Sequence, residues 1–74
     1  MFILIEIVEN ATKVDIFFCI KDVEREMKQR YNRRVQTAKS IDWSNTWFDW
    51  EKKIAKVDNW EKIVEYRVGI AKVA

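Results

Sequence analysis

The chain has no histidine, no proline, one glycine and one cysteine among its 74 residues. Without histidine, the commonest general base and the commonest metal ligand are both missing. A single cysteine excludes an intramolecular disulfide framework, and Cys19, set in an apolar stretch, reads as a small buried hydrophobe. One glycine is too few for a phosphate-cradling loop; Gly69, inside a strand pattern, marks a bulge or a close approach. No apolar run nears the ~20 residues that span a bilayer, and no membrane contact is expected. The stretch Met1-Phe2-Ile3-Leu4-Ile5 lacks a basic flank and is interrupted by Glu6. A secretory signal is therefore not expected, and a cytoplasmic location follows.

The remaining routes to catalysis are thin. Asp22, Glu24 and Glu26 stand at i, i+2 and i+4, so only Asp22 and Glu26 share a helix face. No segment has the alternating acids, glycine and terminal Glu of a calcium loop. Ser40 and Ser44 lack a partner base, and Cys19 lacks a His. Glu6, Asp42 and Asp49 are the only acids in apolar or aromatic surroundings. A carboxylate pair needs a cleft that so short a chain rarely builds. The expectation is a protein that is not an enzyme and takes no metal or cofactor.

What is present is apolar and aromatic. The apolar share of 49% is too high for a disordered tail, and four Trp, four Phe and two Tyr supply large side chains. A core in a chain of this length supplies only about 3–5 kcal/mol. Dense aromatic packing or self-association is the available remedy.

No Gly/Ser linker or low-complexity stretch divides the chain, so residues 1–74 form one domain. Residues 2–9 are a strand with Ile3, Ile5 and Ile7 on one face and Phe2, Leu4 and Val8 on the other, broken by Glu6. A strand apolar on both faces wants both covered. After a turn at Asn10-Ala11-Thr12, Val14 to Ile20 reads as a second strand; a helix starting near Thr12 is the competing reading. Val23, Met27 and Tyr31 recur at spacing four, with acids before bases, which predicts an amphipathic helix over about 21–34. Residues 36–46 are polar and irregular. Trp47, Trp50, Ile54 and Val57 fit helical spacing, and they also fit a hairpin turning at Asp58-Asn59. That hairpin pairs Val57 with Trp60, Lys56 with Glu61, Ile54 with Ile63, Lys52 with Glu65 and Trp50 with Arg67, which favours it. The echo of Trp50-Glu51-Lys52 in Trp60-Glu61-Lys62 fits its two strands. Val64, Tyr66, Val68 and Ile70 alternate as a last strand.

The fold class is then α+β: a small antiparallel sheet of three to four strands with one amphipathic helix packed on one face. One helix covers one face. The second needs either the aromatic segment 43–50 or another subunit, and the latter makes a homodimer.

Two features carry the functional reading. From Met27 to Ile41 there are five basic residues, Lys28, Arg30, Arg33, Arg34 and Lys39, with Tyr31 among them and no acid. Trp43, Trp47, Phe48 and Trp50 crowd into eight residues. Trp and Arg are the residues most enriched in binding hot spots. The expected partner-binding set is Lys28, Arg30, Tyr31, Arg33, Arg34, Trp43, Trp47 and Trp50, facing another protein, acidic at the contact. A compact chain without catalytic equipment suits a phage or mobile-element inhibitor of a host complex, such as an anti-CRISPR or other anti-defence factor. The alternative is a nucleic-acid or nucleotide-binding module using the same residues, with phosphates on the basic helix end and bases on the indoles. A net charge of +2 is small for that task.

Overall fold

A computed structural model of the chain describes residues 1–71. Its elements run β1 (Phe2–Val8), β2 (Ala11–Phe17), α1 (Ile20–Thr37), β3 (Trp47–Asp49), β4 (Ile54–Asp58) and β5 (Ile63–Ile70). The five strands form one antiparallel sheet in the order β2-β1-β5-β4-β3. The α+β class with a single helix holds. The sheet has five strands instead of three to four, because residues 47–58 fold back on themselves as two short strands, β3 and β4.

Alternation in β1 decides which side chains meet the helix. Leu4 is fully buried beneath Val23 and Met27, with Ala55, Val64 and Tyr66 completing the cluster. Phe2, Val8, Phe17, Tyr31 and Phe48 pack around it. The helix begins at Ile20 after Cys19, which occupies the cap position with extended backbone and makes no side-chain cap bond. Cys19 is exposed, not buried, because the chain leaves the sheet there to enter the helix. β2 accordingly ends at Phe17 rather than running to Ile20. The helix continues a turn past Arg34 to Thr37, where nothing in Val35-Gln36-Thr37 breaks it and the Thr37 hydroxyl donates to the Arg33 carbonyl at 2.8 Å.

The β4–β5 hairpin forms, in a different register from the one expected. Val57 faces Val64, Lys56 faces Glu65 and Ile54 faces Arg67. The connection holds Asn59 to Lys62 rather than turning at Asp58-Asn59. The Asn59 side-chain oxygen accepts from the backbone N–H groups of Glu61 and Lys62, and the Asp58 carboxylate accepts from that of Trp60. These bonds hold Trp60 at φ 70, a region uncommon for so bulky a residue. The displacement is an even number of residues, so the residues paired within β4 and β5 keep their faces, while Trp50 and Trp60, now in turns, do not.

The Trp-Glu-Lys echo therefore lies in turns, not in strands. Asp49 leads the first, its carboxylate accepting from the Lys52 N–H at 2.9 Å, as Asn59 accepts from Lys62 at 2.7 Å. One such turn closes each end of β4. Gly69 marks a close approach: a Cβ there would stand 3.2 Å from the Ile3 side chain.

Candidate partner-binding surface

The arginines of the basic run have two different fates. Glu6 is the one charged residue among the helix-facing positions of β1, and it sits only 12% exposed. Burying a carboxylate there demands a partner. Arg34 supplies one, its Nη2 3.2 Å from Glu6 Oε2, while its Nε donates to the Tyr66 hydroxyl at 2.8 Å. Arg30 reaches Glu6 at 3.7 Å and donates to Asp15 at 2.8 Å and to Glu26 at 3.0 Å. The hydrogen bond from Arg30 holds the Asp15 carboxyl below its ordinary value of 3.8. Burial pushes the Tyr66 hydroxyl up to about 12, against the opposing pull of Arg34. Arg30 and Arg34 are thus internal ties between helix and sheet. Arg33 is exposed at the rim of the hollow that Glu6, Arg30 and Arg34 line.

The tryptophans separate as well. Trp43 stands exposed in the loop after the helix. Trp47, paired with Lys56 in the short strand β3, alternates with Phe48 and so lies on the face away from the helix. Trp50 sits in the first turn, on the helix side. The eight expected residues therefore do not form one patch. Lys28, Tyr31 and Trp50 come together; Arg30 and Arg34 are drawn inward, and Trp43 and Trp47 lie elsewhere.

The group that does assemble has a definite geometry. Tyr31 meets Phe48 edge to face with ring centroids 5.3 Å apart, and Phe48 stacks on Trp50 at the same distance. Two ammonium groups stand over the Trp50 indole, Lys53 at 4.9 Å and Lys28 at 5.7 Å, both within cation–π reach. Lys53 is held by the Trp50 carbonyl and by Glu24 at 3.1 Å. Trp50 remains 46% exposed. A depression of about 300 Å³ opens between Lys28, Tyr31, Asn32, Phe48 and Trp50. Phe48 was visible in the aromatic run. Lys53 and Asn32 gave no signal in the sequence, since only the turn after Trp50 and the helix flank bring them to it.

At the other end of β4, Trp60 borders a hollow of about 470 Å³ with Ile7, Ile63 and Glu65 on the face away from the helix. Among the described residues, no cluster of three or more Cys, Asp or Glu could hold a metal ion, and no helix is long and apolar enough to cross a membrane. No family model, no curated protein and no solved structure matches the chain.

Proposed function

We propose that the chain is a non-enzymatic binding protein that engages another protein through the Lys28–Tyr31–Trp50 surface, completed by Phe48 and Lys53. The observation that carries this reading is the stacked aromatic ladder whose outermost ring is half exposed beneath two lysines. An indole held rigid by its neighbours offers apolar area with little ordering entropy left to lose. Lys53 is already paired with Glu24, so it is the Lys28 ammonium that favours a partner presenting a carboxylate beside an apolar side chain. Occupying such a site on a host defence complex is how a chain of this size would inhibit it.

The nucleic-acid reading loses two of its five cations to Glu6, Asp15 and Glu26. What remains exposed along the helix is a thin phosphate track. The two readings separate by salt: affinity for a strand that displaces several counterions falls steeply with salt concentration, whereas an aromatic-centred protein contact changes little.

The test is affinity capture with the wild-type chain as bait, in parallel with Trp50→Ala and the charge reversal Lys28→Glu, followed by titration of the captured protein. Truncating a central indole should weaken binding by roughly 30-fold or more. Trp43→Ala, far from the ladder, should leave it unchanged. Equal binding by the wild type and Trp50→Ala defeats the proposal. Salt-sensitive binding to short oligonucleotides, lost in Trp50→Ala, replaces it with the second reading.

A further inference from the structure

The sheet has a second face, and the described chain leaves it uncovered. Alternation places Ile3, Ile5 and Ile7 of β1 there, beside Val14 and Ile16 of the edge strand β2 and Gly69, Arg67 and Glu65 of β5. The segment expected to cover it, residues 43–50, instead extends the sheet sideways as β3. Val14 is 52% exposed and Ile16 59%, on a strand with a free outer edge. Single exposed apolar residues are ordinary; a contiguous apolar face on an edge strand is an interface or an aggregation site.

We infer that this face is where a second copy of the chain packs, face to face about a two-fold axis, with Ile3, Ile5, Val14 and Ile16 of both copies at its centre. Three observations select that occupant. The first is shape. The Ile3 side chain lies over Gly69 and fills the gap left by the missing Cβ. Gly69 adds no side chain at this point of the face, which leaves room for the ~10 Å approach of sheet-on-sheet packing.

The second is charge. Beyond the isoleucines, the face carries Glu65 beside Arg67 at 3.7 Å, with Lys56 across from Glu65. Both signs stand side by side, so the surface complements itself when turned about a two-fold axis. A nucleic acid or an anionic membrane would meet Glu65 and Asp58 as repulsions that offset Lys56 and Arg67.

The third is area. Strands β2, β1, β5 and β4, at ~4.8 Å spacing and ~3.4 Å per residue, give a footprint of roughly 450 Å². That footprint lies near the ~500 Å² per partner at the lower end of specific interfaces, so the contact is a reversible one.

The proposal is independent of the binding reading above, which uses the opposite side of the sheet. It is tested on the full chain by sedimentation velocity and light scattering from nanomolar to high micromolar concentration. The wild type should pass from monomer to dimer with no larger species. Val14→Lys with Ile16→Lys buries four ammonium groups per dimer and should raise the dissociation constant by roughly 30-fold or more. Circular dichroism should show the variant folded. Should it unfold, the milder pair Val14→Thr with Ile16→Thr reads the same shift at lower amplitude. Trp50→Ala should dimerise as the wild type does. A wild type that stays monomeric through the range overturns the proposal. So does a dimer indifferent to both variant pairs, or a monomer that instead binds lipid vesicles through Val14 and Ile16.

Discussion

The two faces of strand β1 differ in how far folding has finished them. On the helix side, Leu4 is fully buried, and even the awkward Glu6 is answered by two arginines. On the other side, three isoleucines of the same strand are only partly buried, with two exposed apolar residues, Val14 and Ile16, beside them on β2. Propensity does not separate the faces, since Glu6 apart both are β-branched or apolar. The layer above them does: the described residues hold one helix, and one helix covers one side of a sheet. Local sequence makes the strand, but only a second layer makes a core.

The strongest way to break this comparison is to truncate one residue on each side. Leu4→Ala should cost about 3 kcal/mol, most of what a domain this small holds, through lost burial and a cavity. Ile16→Ala should cost the isolated subunit well under about 1 kcal/mol, since an exposed residue leaves no cavity. Urea unfolding at a concentration below dimer formation measures both. Equal losses would mean that the open face is not open in the monomer.

A second comparison separates the arginines. Arg30→Met removes the hydrogen bonds to Asp15 and Glu26 and leaves Glu6 to Arg34 alone, and should destabilise the fold by about 2 kcal/mol. Arg33→Met should stay within about 0.5 kcal/mol. If the two match, Arg30 is not the tie between helix and sheet that its geometry describes.

The same network predicts a pH profile with two limbs. Asp15 titrates below 3.8 in the folded chain. Its contribution is present above the unfolded value and is lost as pH falls through the folded one. Tyr66 titrates near 12 when folded, against 10.0 ordinarily. Its contribution is present below 10.0 and is lost as pH rises toward 12, because the unfolded chain releases that proton first. Tyr31, its hydroxyl also raised by burial, acts in the same direction. Thermal melts of the wild type and Tyr66→Phe across the alkaline range should show a shallower loss in the variant, and Asp15→Asn should flatten the acid limb.

Local patterns were legible before the structure; long-range ones were not. The alternation of β1 and β5 and the Val23-Met27-Tyr31 spacing each depend on neighbours a few residues away, and each produced the element expected. The β4–β5 register did not follow, because it depends on Asn59 and Asp58 gathering the N–H groups of a four-residue loop, which the cross-strand pairs could not reveal. Cys19 lay in an apolar stretch and still came out exposed, since the chain changes direction there. The candidate site was half legible. Lys28, Tyr31 and Trp50 carried a local signal. Nothing local said that Arg30 and Arg34 would be claimed by Glu6, a residue more than twenty positions earlier.

The placement of β1 between β2 and β5 has a consequence in time. Its partner on one side, β2, follows it at once through the turn at Glu9-Asn10. Its partner on the other side is far along the chain, Leu4 pairing with Val68. The first hairpin can close in microseconds, but the central seam must wait for nearly all the described chain and for a large loop to shut. Through that interval the isoleucine face of β1 is bare, and the Leu4 face is covered only once α1 docks. Whatever meets the nascent hairpin first, its own helix or another copy, decides whether the isoleucines end in an ordered sheet or an aggregate.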